Sequence, residues 1–133
     1  MEQFTNEKYT VRKLAPNILE SIIHNHANLE EEDFWKLNGL TTELNNNKPF
    51  FLLVTTGYFT TSSEEFLRLS AEKDKSPLSI ARAVVVSSLG HRMAGKFYLK
   101  VRKPQSETKL FRNREDAINW LTEISNKNST ITY

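Results

Sequence analysis

The sequence of 133 residues contains no cysteine, which excludes disulfide bonds, thiolate zinc sites and cysteine nucleophiles. Glycine and proline are scarce, at four residues each, so no glycine- or proline-rich repeat is present. No apolar run approaches the roughly 20 residues that a membrane-spanning helix needs. The first residues lack the basic start and apolar stretch of a secretory signal. We therefore expect one cytoplasmic domain over residues 1–133, with an ordered core from about residue 8 to about residue 125.

Charge is nearly balanced over the whole chain but uneven along it. Eighteen basic and sixteen acidic residues give a formal net charge of +2 with histidine neutral. Residues 28–48 hold five acidic and two basic residues, a net charge of −3. Residues 82–114 hold nine basic residues and one acidic residue, a net charge of +8. The second segment therefore predicts a positive surface.

Apolar patterning predicts an α/β fold. Residues 9–14 and 18–26 flank a turn at Pro16 and are typical of a β-hairpin. Residues 50–54 and 81–86 are almost entirely apolar, which favours strands buried on both faces in the centre of a sheet. A short strand is predicted at residues 108–111, and four helices separate or follow these strands. Ligands of such sheets bind beyond the carboxyl ends of the strands, here at residues 55–63 and 87–92.

N-capping residues mark where three of the helices begin. Asn28 stands three residues before Glu31, and Ser62 stands three residues before Glu65, both in the manner of a capping box. The first helix is therefore expected from about residue 29 to about residue 44, and the second from about residue 63. Asn113 is the predicted cap of the last helix.

The third predicted helix, from about residue 88 to about residue 102, carries two stripes. Apolar residues recur at every fourth position and are expected to face the core: Leu89, Met93, Phe97 and Val101. Basic residues occupy one flank: Arg92, Lys96, Lys100 and Lys103. That flank is either a solvated helix side, whose long side chains cover apolar surface with their stems, or a surface for an anionic partner.

The junction between the strand at residues 81–86 and the third helix has the components of an anion site. A helix N-terminus offers backbone donors, and the hydroxyl and cationic side chains stand beside it. The candidates are Ser87, Ser88, Gly90, His91 and Arg92. The alternative is that one serine simply caps the helix, since no phosphate-loop or dinucleotide-binding motif is present.

Other chemistries have weaker support. His24 and His26 would share one face of a strand, yet no third metal ligand is identifiable, so no metal is predicted. No G-x-S-x-G elbow follows a strand, and we assign no catalytic residue. No base-stacking aromatic pattern accompanies the basic residues, which argues against a nucleic-acid partner.

Several strings in the second half resemble a known family. They are ARAVVVSSL at residues 81–89, GKFYLK at residues 95–100 and TKLFRNREDAINWL at residues 108–121. These strings look like the C-terminal half of the bacterial SpoIIAA-like proteins, small stand-alone relatives of the STAS domains of anti-sigma factor antagonists. The N-terminal half matches that family mainly in the order of its elements.

The resemblance implies a STAS-like β-α superhelix with an N-terminal β-hairpin, a mixed five-stranded sheet and four helices. It also implies no cofactor, and a role in protein–protein regulation or small-ligand sensing rather than catalysis. True antagonists carry a phosphorylatable serine at the start of the second helix, which makes Ser62 and Ser63 the phospho-switch candidates here. The sequence departs from that motif, with Thr61 in place of the preceding Asp and Glu64 in place of the following Gly. Phosphate beside Glu64 would also meet like-charge repulsion.

Two functional hypotheses follow. The first is a non-enzymatic STAS-like module that binds a partner protein or a small anionic or amphipathic ligand near the loops after the third and fourth strands. The alternative is peripheral contact with an anionic membrane through the basic flank, with Lys96, Lys100 and Lys103 on its surface. A monomer and a homodimer are both compatible with the sequence.

Overall fold

The computed structural model describes residues 2–86 and 88–131. The eight strands in this part of the chain are β1 (Gln3–Thr5), β2 (Tyr9–Ala15), β3 (Ile18–Ile23), β4 (Asn28–Leu29), β5 (Phe50–Thr56), β6 (Thr61–Ser62), β7 (Ser79–Val85) and β8 (Glu107–Phe111). The four α-helices are α1 (Glu31–Leu44), α2 (Glu64–Ala71), α3 (Leu89–Arg102) and α4 (Arg114–Ile131). This order confirms the predicted alternation of helices and strands after an N-terminal hairpin.

Six strands form one mixed sheet in the order β1-β2-β3-β5-β7-β8. The first three strands are antiparallel, and the pairs from β3 through β8 are parallel. The mixed sheet was predicted with five strands, and the sixth is β1, which pairs with β2 at the sheet edge. Three residues are too few for an alternating pattern to show, which is why the sequence did not reveal this strand.

The two faces of the sheet are covered differently. Helix α4 lies across β5, β7 and β8 on one face, where Leu53, Ala83, Ala117 and Leu121 are fully buried. On the other face, α1 packs against β2 of the hairpin and covers a second core cluster, which includes Tyr9, Val11 and Leu19. Helices α2 and α3 lie on the α1 side as well. We call these the α4 face and the α1 face.

The helix caps agree with the prediction at α3 and α4 and differ from it by one or two residues at α1 and α2. Asn113 caps α4, where its Oδ1 accepts a hydrogen bond from the Asp116 N–H at 2.9 Å. The predicted caps Asn28 and Ser62 are wrong: α1 is capped by Glu30 and α2 by Ser63. The reason is that both predicted caps lie in the parallel strands β4 and β6, which pair with each other in a small second sheet.

A buried carboxylate ties α4 to the sheet. Glu20 on β3 is fully buried, and its oxygens accept hydrogen bonds from Arg114 at 2.9 and 3.0 Å, from Arg12 at 3.0 Å and from Thr55 at 2.7 Å. Burial acts to raise the pKa of Glu20, but the hydrogen bonds from Arg114, Thr55 and Arg12 outweigh it and lower the pKa below its usual value. Glu20 therefore stays ionised and fixes the start of α4.

Candidate functional site

A large cavity lies between the α1 face of the sheet and helices α1, α2 and α3. Its volume is about 790 Å³. The floor consists of alternate residues from β5, β7 and β8: Leu52, Val54, Arg82, Val84, Thr108 and Leu110. Apolar side chains from two helices form much of the walls: Phe34 and Leu37 from α1, and Phe66 and Leu67 from α2. Phe97 and Val101 of α3 also border the space, although more than half of each side chain is exposed. The space is suited in size and lining to a small-molecule ligand.

The cavity changes how the two central strands are buried. Along β7, the residues on the α4 face are buried: Ala81, Ala83 and Val85. Arg82 and Val84 lie on the α1 face, toward the cavity, and are only half-buried. The prediction that residues 50–54 and 81–86 are buried on both sides holds for Phe50 and Val86 but is wrong for the half-buried residues on the cavity floor: Leu52, Val54, Arg82 and Val84. An apolar strand has the same sequence pattern whether a helix packs directly against it or stands away from it.

Polar contacts hold α3 along the rim of the cavity. Near its N-terminus, His91 Nε2 lies 3.2 Å from the carbonyl oxygen of Thr60 and 3.3 Å from Thr60 Oγ1. At its middle, the hydroxyls of Tyr98 and Ser70 share a hydrogen bond of 2.9 Å. At its C-terminus, Arg102 forms an ion pair with Glu64 of α2. These contacts leave the space beneath the helix open.

The apolar stripe of α3 is exposed and does not pack into the core, so the prediction that Leu89, Met93, Phe97 and Val101 face the core is wrong. Their exposed fractions are 64%, 64%, 67% and 54%. Four residues turn a helix by about 400°, so a four-residue repeat drifts about 40° per step and does not keep one face. The inward face instead follows the spacing of four, three and four residues: His91, Gly95, Tyr98 and Arg102.

Gly95 sets how closely α3 approaches β8. A Cβ atom at this position would lie 3.0 and 3.1 Å from the two terminal carbons of Leu110. The absence of a side chain therefore allows the middle of α3 to rest on the edge strand at this point. The spacing of His91, Gly95, Tyr98 and Arg102 is the signal that would have identified the inward face, but these residues are polar or small.

The predicted anion-site residues that the structure describes lie together at the start of α3 but make different contacts. Ser88 caps the helix, its Oγ accepting a hydrogen bond from the His91 N–H at 3.1 Å, which is the alternative that the sequence left open. His91 turns toward Thr60, so the two predicted loop segments do meet. Gly90 has open space around it, and the half-buried Arg92 carries a buried Nε without a partner. Ser87 lies outside the described residues.

The remaining candidates lie on the surface. Ser62 is exposed in β6, and the Oγ of Ser63 accepts a hydrogen bond from the Phe66 N–H at 3.1 Å as the cap of α2. The predicted basic flank residues Lys96, Lys100 and Lys103 are exposed.

His24 and His26 do not lie on a strand, contrary to the prediction, because β3 ends at Ile23. His24 Nε2 is 2.9 Å from Thr10 Oγ1, whereas the ring of His26 stacks on Phe59 with 5.3 Å between centroids. Within residues 2–86 and 88–131, no group of three or more His, Asp or Glu could hold a metal ion.

The model of one protein family, described as a domain of unknown function (DUF7793), matches residues 13–125. The chain belongs to the DUF7793 family. The matched range runs from β2 into α4 and so includes every strand and helix that borders the cavity. Among curated protein sequences, none matches this DUF7793 chain.

The DUF7793 domain is also similar to a solved structure, an uncharacterized protein of the DUF3478 family with a SpoIIAA-like fold from Shewanella loihica PV-4. The TM-score is 0.56 at 16% sequence identity, and the match covers 89% of this chain and 98% of that chain. At this level of identity the similarity shows the fold. The resemblance to SpoIIAA-like proteins in residues 81–121 is therefore confirmed at the level of fold.

Proposed function

We propose that this DUF7793 protein is a non-enzymatic binding module that holds a small amphipathic molecule in the cavity beneath α3. The observation that carries the proposal is the 790 Å³ cavity itself, whose mainly apolar surface is formed by the sheet and by the helices α1, α2 and α3. Well-packed interiors contain few voids larger than a water molecule, so an apolar space of this size favours an occupant.

The polar groups of the cavity wall also support binding rather than catalysis. Ser70 and Tyr98 bond to each other, Thr60 contacts His91, and Glu64 pairs with Arg102. Each of these pairs joins α3 to a neighbouring element. We therefore assign them the task of positioning the helix over the cavity.

The first test measures whether the cavity takes up an apolar probe. We expect the neutral dye N-phenyl-1-naphthylamine to bind the protein saturably, with a rise in its fluorescence. Val54 and Val84 face each other across β5 and β7 on the cavity floor, so the double variant V54W/V84W fills the middle of the space. Its affinity for the dye should fall at least about tenfold, because bulky side chains would clash with the occupant.

The matched control for this test adds tryptophan elsewhere. Thr122 is exposed on α4, and T122W should bind the dye as the parent protein does. Circular dichroism would establish that the variants are folded. Equal dye binding by V54W/V84W and the parent protein would contradict a binding site in the cavity.

A second candidate function is peripheral binding to an anionic membrane. The observation that favours it is the outward surface of α3, where four exposed apolar side chains lie beside the basic flank residues Arg92, Lys96, Lys100 and Lys103. A cluster of four or more basic residues attracts acidic lipid, and apolar side chains beside it can enter the interface. No helix in the described part of the chain is long and apolar enough to cross a membrane.

Vesicle sedimentation tests this second function. We expect the protein to pellet with phosphatidylcholine vesicles that contain phosphatidylserine, but not with phosphatidylcholine alone, and to detach as salt rises from about 0.1 M to about 1 M. K96E/K100E should reduce binding more than tenfold, since each basic residue near the surface contributes about 1 kcal/mol. K13E/K48E changes the net charge equally at exposed sites off α3 and should bind as before. Binding unaffected by either double variant would exclude this use of α3.

A further inference from the structure

Arg82 is a charged residue in the middle of the cavity floor. It lies halfway along β7 on the α1 face of the sheet, directly opposite Leu52 on β5 and Thr108 on β8. Apolar residues both precede and follow it in the strand, in the string ARAVVV at residues 81–86. A guanidinium at this position costs folding free energy unless something hydrogen-bonds to it.

No group in the described structure fills that role. The side chain of Arg82 makes no hydrogen bond or ion pair within residues 2–86 and 88–131, and its Nε is buried without a partner. The other arginine that lines the cavity, Arg102, is paired with Glu64. The Thr108 hydroxyl, across from Arg82, donates a hydrogen bond of 3.0 Å to the Ser106 carbonyl oxygen, and no hydrogen bond joins it to the Arg82 side chain. Buried polar groups in proteins almost always have partners, so an unpaired one calls for an explanation.

The carboxylates of the cavity wall are already committed elsewhere. Glu64 binds Arg102, and Glu72 accepts a hydrogen bond from Arg68 at 3.1 Å. The cavity therefore presents one uncompensated positive charge to whatever enters it, within a lining whose surface is mainly apolar. That combination matches a molecule with one negative charge and an apolar body.

We propose that Arg82 binds the carboxylate of a single-chain aliphatic acid, such as a fatty acid, whose chain occupies the cavity. This inference rests on the proposed ligand-binding function and names its ligand class. The planar guanidinium fork matches a carboxylate through two parallel hydrogen bonds. A monoanion is favoured over a phosphate monoester because a second negative charge would have no cation to compensate it in an apolar space.

Binding of matched ligands by the parent protein and by Arg82→Leu tests the inference. Dodecanoate, its neutral methyl ester and dodecyl phosphate would each displace N-phenyl-1-naphthylamine from the cavity. We expect the parent protein to bind dodecanoate about tenfold to hundredfold more tightly than the methyl ester, as a charge-assisted hydrogen-bonded pair provides. Arg82→Leu should bind dodecanoate and its methyl ester equally, and it should still bind the neutral dye.

Two further variants separate charge from geometry. Arg82→Lys keeps the positive charge but loses the planar guanidinium with its two parallel donors. It should therefore retain part of the preference for dodecanoate over the methyl ester. Arg112→Leu removes an exposed arginine after β8 and should leave the preference intact.

The outcomes distinguish this inference from the function on which it rests. If the parent protein binds neither the dye nor dodecanoate, the proposed cavity function fails together with the inference. If it binds the dye but shows no preference for dodecanoate over the ester, only the role of Arg82 is overturned. Tighter binding of dodecyl phosphate than of dodecanoate would overturn the carboxylate assignment, and a preference that survives in Arg82→Leu would place the anion elsewhere.

Discussion

Leu53→Ala is expected to lower the free energy of unfolding by about 3 to 4 kcal/mol, whereas Leu52→Ala should lower it by only about 1 kcal/mol. The two leucines are neighbours on β5 and point to opposite faces of the sheet. Leu53 is fully buried beneath α4, so its truncation leaves a void in a packed core. Leu52 is half-buried and already faces the cavity, so its truncation only enlarges an existing space.

Urea denaturation of the two variants, followed by far-ultraviolet circular dichroism, measures this difference. Each leucine is the control for the other, since the substitution, the strand and the intrinsic β propensity are the same. Similar losses at both positions would mean that α3 packs onto the sheet in solution and that the cavity is closed. A saturating apolar ligand should raise the stability of the parent protein by mass action, and it provides an independent check.

The order of the elements could be predicted because the signals that define it are local. The apolar runs at residues 50–54 and 81–86 and the cap at Asn113 all coincide with elements of the structure. The caps of α1 and α2 were displaced by pairing between β4 and β6, which joins Asn28 to Thr61 across 33 residues. Such a contact leaves no local pattern.

The local sequence pattern could not predict which side of α3 faces inward, for a related reason. The polar contacts of α3 are with Thr60, Ser70 and Glu64, which come from other elements. Apolar periodicity therefore indicates the wrong side of such a helix as the side that faces the core. The lone charged residue within the apolar string at residues 81–86 was visible in the sequence, and it is the residue that the structure places on the cavity floor.

Glu20→Gln is expected to destabilise the protein by about 2 to 3 kcal/mol at neutral pH. The substitution keeps the shape of the side chain but removes the charge that Arg12 and Arg114 share. Breaking a buried ion pair costs about 3 to 5 kcal/mol. We expect a smaller loss here because the side chains of Arg12 and Arg114 are 40% and 41% exposed and can be hydrated when the carboxylate is gone.

The pH dependence of this loss identifies its origin. Glu20 has a lowered pKa in the folded protein, so its contribution to stability is complete above the ordinary glutamate pKa of 4.5 and is lost as the pH falls through the lower folded value. The difference in unfolding free energy between the parent protein and Glu20→Gln should therefore be constant from about pH 7 to about pH 5 and then narrow toward about pH 3.

A matched variant separates this effect from a general change in net charge. Glu43 is exposed on α1, and Glu43→Gln alters the charge of the protein by the same amount. Its effect on stability should stay below about 0.5 kcal/mol at every pH, as is usual for exposed positions. If the loss of unfolding free energy in Glu20→Gln did not become smaller in acid, it would arise from the packing of the new amide and not from the lost charge. If the difference in unfolding free energy narrows in acid for Glu20→Gln but not for Glu43→Gln, the ionised carboxylate between Arg12 and Arg114 is what anchors α4.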